Sequence, residues 1–382
     1  MKQKIKQQQK LLNYVICIRV EAMNDIYIID YIGNSDDKGN PIGHPTKVIN
    51  EYSELIKDAF AVNLVIPENY KKVINNNSIN SIKYLKHHMD MTATSLFGKL
   101  RNLYGRVSNL INIFKASSES SILWFSNVDF VLFAVLSFYT PKKNNKIIVT
   151  TFLQEFSEGG KIKNKVKNFF LKKGINKINY IITSNKNLNF SCKSIYIPDY
   201  FYNPEFYDKY KTNNKKMQVL CIGTMTESKD IEGLVKIFLN SYIPVKIIGK
   251  FIDKSLYARL KEEVKTNSNI LIEDKYLDND EYYSLIAESK YIILPYKQSY
   301  YDKRTSGVIL EAMFLDTVPV APEYLLKFND VKGIGYSDIS EVIDLLKNHD
   351  IESILEDFKI KRSELSVDNI RNNLINLLSN EL

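Results

Sequence analysis

Ile292-Ile293-Leu294-Pro295-Tyr296, followed after a short polar loop by Arg304-Thr305-Ser306-Gly307-Val308-Ile309-Leu310-Glu311-Ala312-Met313, is the stretch that decides the fold. It reads as the end of a strand, a loop, and the start of a helix. A helix start offers free backbone N–H groups and the positive end of a dipole, which suits a phosphate. Gly307 would let a large anion approach the backbone closely. Glu311 lies four residues further on, so the two share one helix face. A carboxylate one turn behind a phosphate site is placed to accept hydrogen bonds from ribose hydroxyls.

Outward from this stretch, apolar β-type runs alternate with longer helical patterns, and they do so twice. In the first half the expected strands are 26–31, 62–66, 121–125, 147–152 and 180–183, closed by 194–199. Helices are expected between them at 47–60, 93–114, 130–138 and 161–173. Short β-branched runs with little alternation point to parallel strands buried on both faces. The polar stretch 200–215 reads as a linker. The second half restarts at 218–222 and continues through strands at 245–248, 270–272, 291–294 and 318–321. Its helices are expected at 231–239, 255–264, 281–288, 308–314 and 339–348. Residues 366–378 read as a terminal amphipathic helix capped by Ser366. The expected class is α/β, with two doubly wound Rossmann-like domains facing a cleft. The first covers 1–198 and the second 199–365, and the helix from 366 to 382 packs back on the first.

Bulk properties narrow the function classes. The 382 residues have a 45% hydrophobic fraction and 52 Lys+Arg against 44 Asp+Glu, a net +8. That modest excess fits anionic ligands or an anionic membrane surface. It does not by itself imply nucleic acid, and no nucleic-acid module is evident. Cys17, Cys192 and Cys221 are far apart, with neither a disulfide framework nor zinc spacing, so a reducing compartment is expected. The run 11–18 is too short to span a bilayer, and no other segment is long and apolar enough.

The second half resembles the C-terminal domain of GT-B glycosyltransferases of the family-4-like, nucleotide-sugar-using group, over about residues 217 to 325. Gly223-Thr224-Met225-Thr226-Glu227-Ser228-Lys229 matches the family's loop after its first strand, with Lys229 on the diphosphate-binding lysine and Thr224 in place of an arginine. Residues 270–277 match the segment facing the nucleotide base, which places Tyr276 and Leu277 there. Ser306 to Pro319 matches the signature helix with its Pro-Val, here Pro319-Val320. Of the two glutamates the family often carries, Glu311 is the second, and Lys303 stands where the first would be. Arg304-Thr305-Ser306-Gly307 resembles a variant of capsule and lipopolysaccharide transferases. The resemblance implies diphosphate binding by Gly223, Thr224, Lys229, Arg304, Thr305, Ser306 and Gly307, and ribose binding by Glu311. Tyr296 either lines the donor pocket or packs in the core.

Transfer from a nucleoside diphosphate needs its leaving group stabilised, which fixed cations and a helix N-terminus do without metal or cofactor. An acceptor-side base would follow a strand of the first half, and Asp36, Asp129 and Glu155 are candidates alongside caps and solvent-facing acids. Asp37 shares the loop of Asp36, and His44 opens the first helix as a turn residue or an acceptor contact. His87, His88 and His349 have no partners at metal spacing. The basic, apolar segments 99–115 and 161–177, the latter with seven lysines, read either as solvated helix faces or as surfaces for an anionic bilayer. The expected function is transfer of a sugar to a glycan or lipid-diphosphate-linked acceptor in surface polysaccharide synthesis. It would act in the cytoplasm, in peripheral contact with the inner face of the plasma membrane. A catalytically silent homologue that binds nucleotide or a partner transferase is the alternative, and a nucleotide-sugar epimerase is a third.

Overall fold

The computed structural model describes residues 25–381 apart from 42–44, 76, 78, 143, 152–160, 185, 187–191, 302–304 and 349, with backbone alone at 161–164 and 381. Cys17, His44, Glu155, Arg304 and His349 therefore lie outside the described residues, as do the N-terminal lead-in and its strand. The chain divides into two compact units, 1–197 with 371–382, and 198–370.

The first unit is built on β1 (Asp25–Asp30), β2 (Asn34–Ser35), β3 (Ala61–Pro67), β4 (Ser81–Leu85), β5 (Met89–Asp90), β6 (Ile122–Asn127), β7 (Lys146–Thr151), β8 (Tyr180–Thr183) and β9 (Lys193–Tyr196). Seven of these form one sheet in the order β4-β3-β1-β6-β7-β8-β9. Every pairing in it is parallel. The Ile, Val and Leu runs of β1, β3, β6 and β7 are buried because helices cover both faces, so both sides of each strand must be apolar. Trp124 is fully buried, stacks on Tyr52 at 4.9 Å and donates its indole N–H to Thr150 Oγ1 at 2.8 Å. The short β2 and β5 pair with each other, and Ser35 also bridges Pro41.

The second unit carries β10 (Lys216–Ile222), β11 (Val245–Gly249), β12 (Ile270–Asp274), β13 (Ser289–Ile293), β14 (Val318–Pro322) and β15 (Ile334–Tyr336). Their order is β12-β11-β10-β13-β14-β15, again all parallel. Numbered from its own first strand this is 3-2-1-4-5-6, the Rossmann order. The direction of winding reverses between β10 and β13, and ligands of such sheets sit beyond the carboxyl ends of strands at that reversal. The first sheet reverses in the same way between β1 and β6.

The structure departs from the sequence reading in a few elements. Residues 200–215 are not a bare linker. Pro204–Tyr207 is a helical turn capped by Asn203, and Tyr207 is buried against Phe314 and Tyr283. The edge strand β4 is mostly exposed, so it lacks the apolar run that marks its neighbours. Helices Glu323–Asn329 and Glu352–Glu364 are additional. The final helix, Val367–Glu381, straddles the division between the units. Its Asn380 lines a hollow with Ser120, Lys146 and Asn179, near the amino ends of β6, β7 and β8.

Candidate functional site in the second sheet

The loops that leave β10 and β13 are tied together at the carboxyl end of the sheet. Asp230 N donates to Pro295 O at 2.7 Å and Lys297 N to Ser228 O at 2.9 Å. Lys229 and Tyr296 form an antiparallel bridge. The backbone gives way here through two glycines. Gly223 has φ +96°, and a Cβ on Gly249 would lie 1.9 Å from Gly223 O. Only a residue without a side chain lets the ends of β10 and β11 approach this closely.

Lys229 is folded back over this turn. It is 8% exposed, and its Nζ donates to Ile222 O at 3.0 Å. The ammonium also lies 5.6 Å from the centre of the Tyr296 ring. Among the described residues no carboxylate pairs with it. Burial pushes its pKa down, opposed by the Cys221 thiol beside it. A buried ammonium is costly unless a counter-charge completes it. Tyr296 is itself buried, stacks on Tyr301 at 3.9 Å and turns its hydroxyl toward Ser306. It therefore packs in the core and also joins the two loops. Thr224 is exposed on the same turn.

The helix Gly307–Phe314 starts on this side of the sheet, but its first turn is more occupied than the sequence implies. Ser306 N donates to Asn329 Oδ1 at 2.9 Å, and Asn329 is itself anchored to Leu325 O at 2.7 Å. Thr305 Oγ1 donates to Asp199 Oδ2 at 2.8 Å. The space expected over Gly307 for an anion holds the Tyr200 ring. A Cβ there would lie 2.3 Å from it. Glycine is required at 307, but in this structure by an aromatic ring. The Ser306 amide, satisfied by Asn329, is likewise not open to a phosphate in this structure.

Glu311 is buried between two tyrosines. Tyr282 donates its hydroxyl to Oε2 at 2.8 Å and Tyr283 to Oε1 at 2.9 Å. Burial and the adjacent carboxylate push both phenols far above their usual pKa, so they act as fixed donors. Tyr276, beyond the carboxyl end of β12, is 86% exposed, and Leu277 beside it is half-buried.

In the first unit the expected bases are bound into structure. Asp129 caps the helix Phe130–Phe138 through Val131 N, accepts the Tyr31 hydroxyl at 2.6 Å and pairs with Arg106. Both its oxygens are engaged, and the paired guanidinium favours the ionised carboxylate. Asp36 closes a loop: Oδ1 accepts from Lys38 N and Asn40 N, and Oδ2 from the Asn40 side chain. The Asn40 bonds hold its carboxyl below the usual pKa, which makes it a weaker base. A carboxylate that sequence reading passed over, Asp30, ends β1 at the reversal point. It is fully buried and accepts from Ile32 N, Gly33 N and the Tyr70 hydroxyl. Burial nevertheless drives its pKa up. Asp36, Lys38, His87, His88, Asp90 and Arg101 line a hollow of about 410 Å³ beyond the carboxyl ends of β1 and β4. Among the described residues no cluster of His, Cys, Asp and Glu could hold a metal ion.

No protein-family model matches the chain, and no curated protein does. Solved structures do resemble it. Anabaena HepE, in complex with UDP and glucose, is 11% identical and superposes with a TM-score of 0.61 over 94% of this chain and 100% of its own. An α,α-trehalose-phosphate synthase (UDP-forming) from Burkholderia vietnamiensis is 10% identical, with a TM-score of 0.64 over 94% and 98%. A mutant of Staphylococcus aureus TarM, in complex with fondaparinux, α-GlcNAc-glycerol and UDP, is 12% identical, with a TM-score of 0.59 over 93% and 99%. These likenesses define the class of fold. It is GT-B, in which one chain carries two Rossmann-like α/β domains.

Proposed function

We propose that the protein is a glycosyltransferase that moves a sugar from a nucleoside diphosphate sugar to a glycan or lipid-linked acceptor, in the building of a surface polysaccharide. The observation that carries this reading is Lys229. It is a buried ammonium without a carboxylate partner among the described residues, held at the reversal point of a Rossmann sheet. A diphosphate supplies the missing charge. In the transfer the bond from the sugar C1 to the diphosphate breaks and an acceptor hydroxyl oxygen bonds to C1, its proton passing to a base beside the acceptor or to the departing diphosphate. The diphosphate leaves with the electron pair, and fixed positive charge beside it lowers the barrier. Lys229 takes that role, with the Gly223-Thr224 backbone and, from the sequence, Arg304. Glu311 accepts hydrogen bonds from the ribose hydroxyls, and the exposed Tyr276 ring offers a face for the base.

A specific observation favours a second reading, a nucleotide-binding subunit without turnover: Asp36 and Asp129 are both engaged in local structure. One experiment separates the readings. Thermal unfolding with a panel of nucleoside diphosphates should raise the midpoint by several degrees for the matching base. Donor consumption is then measured with and without candidate acceptors. A nucleotide shift without turnover supports the binding subunit. The absence of any shift overturns both.

A further inference from the structure

The helices Leu96–Ala116, Phe130–Phe138 and Lys161–Ile175 pack side by side as one layer of the first unit. Phe170 ties the last two together, with its ring 6.1 Å from Phe130 and 5.6 Å from Phe138. What this layer leaves outward is unusual for a soluble surface. Leu96, Phe97, Leu100 and Tyr104 are 75%, 77%, 56% and 68% exposed, and Leu103 and Ile111 are exposed beside them. At 100° per residue these positions fall within a sector of roughly 120°, so they form one apolar stripe. Lys99 and Arg101, both exposed, flank it on its two sides. On the neighbouring helices Phe138, Val166 and Phe169 form a second apolar patch, beside exposed Lys165, Lys172 and Lys173. The Lys173 ammonium lies 5.7 Å from the Phe138 ring centre.

Charge decides what covers such a face. The three helices hold no Asp or Glu, and Lys99, Arg101, Lys165, Lys172 and Lys173 are exposed on them, Arg101 shared with Asp90 at 3.6 Å. A second copy of the chain, docked through the same face, would set cation against cation. An anionic bilayer surface is complementary on both counts: its headgroups attract the lysines and its acyl boundary takes the aromatic and leucine side chains. Among the described residues no helix is long and apolar enough to cross a membrane, so the contact is one of lying on the surface. We infer that this helix layer docks the protein on anionic lipid bilayers, through the stripe from Leu96 to Ile111 and the patch around Phe138 and Phe169. The inference rests on these helices and not on the nucleotide reading.

The test is co-sedimentation of the full chain with vesicles of phosphatidylcholine alone and of phosphatidylcholine with about 30% phosphatidylglycerol. Binding is expected to the anionic vesicles and to weaken as salt rises. The triple variant Leu96→Glu, Phe97→Glu, Leu100→Glu should lose about tenfold or more in partitioning, since it removes apolar contact and adds negative charge. Lys165→Glu, Lys172→Glu, Lys173→Glu should weaken it separately. All six positions are exposed, and an unchanged circular dichroism spectrum confirms that the variants fold. Equal binding to both vesicle types, no binding, or wild-type binding by both variants would overturn the inference. So would a dimer in solution that the glutamate variants dissociate. Vesicle binding with no nucleotide response would sink the transferase proposal and leave this one standing.

Discussion

The second sheet holds a lysine at each pole, and the two have opposite surroundings. Lys215, just before β10, donates to Ala287 O at 2.6 Å, Leu315 O at 2.9 Å and Thr317 Oγ1 at 3.0 Å, with Ser289 O at 3.4 Å. It staples the ends of two helices to β13. Lys229, just after β10, has one carbonyl and the face of a ring. The first ammonium is met by four acceptors; the second has no carboxylate beside it among the described residues. The amino pole is braced by its lysine, and the carboxyl pole is the side on which ligands of sheets wound this way generally sit.

The largest expected effect breaks the carboxyl pole as structure. Gly249→Ala drives a Cβ into the backbone of Gly223, where no side chain can yield. Both strand ends must shift, and a loss of roughly 3 kcal/mol or more is expected. Urea unfolding measures it, and a loss under about 1 kcal/mol would show that the glycine contact is not a constraint.

Lys215→Met comes next. It leaves the carbonyls of Ala287 and Leu315 without their donor, at a cost of roughly 2–4 kcal/mol. The nucleotide-induced rise in unfolding midpoint should persist in the folded fraction. Loss of that rise with little change in stability would reverse the assignment of the two poles.

Glu311→Ala is expected to cost about 2–3 kcal/mol, because the Tyr282 and Tyr283 hydroxyls lose their acceptor inside the protein. The double variant Tyr282→Phe, Tyr283→Phe sharpens the reading. It takes both tyrosine donors from the carboxylate but keeps the carboxylate itself. Nucleotide affinity should therefore survive in it better than in Glu311→Ala if Glu311 holds the ribose. Equal affinities in the two variants would make Glu311 a purely structural anchor.

This contrast between the poles also explains which parts of the chain were legible in its sequence. The strands of both sheets announce themselves because burial on two faces demands continuous apolar runs, as in Val219-Leu220-Cys221-Ile222. The position of Lys229 in the loop after β10 is legible because it lies a fixed distance beyond such a strand. The contacts that decide whether a site is open are set by residues far away. Tyr200 fills the space over Gly307, Asn329 takes the Ser306 amide, and Tyr70 seals Asp30 from forty residues on. No local pattern carries those partners. In the first unit the same limit is stronger. Asp36 and Asp129 come after strands as a base would, and their partners Asn40, Tyr31 and Arg106, which no local pattern announces, also brace a loop and cap a helix.

The smallest effect is a pH dependence, and it isolates Lys229. Burial lowers its pKa in the folded state relative to the unfolded chain. Between the folded and unfolded values the unfolded chain binds more protons, so stability rises with pH through that window and is lost as pH falls through the folded pKa. Lys215, pushed down to about 8 by burial, contributes a slope of the same sign. Comparing wild type with Lys229→Met removes that background, because Lys215 is common to both. The variant should be flatter below the ordinary lysine pKa and no less stable at the low end, since it discards a buried charge. A diphosphate restores the proton to Lys229, so its affinity for the wild type should fall as pH climbs through the same window. If Lys229→Met keeps both the full slope and the nucleotide response, the ammonium at this pole carries neither charge nor ligand.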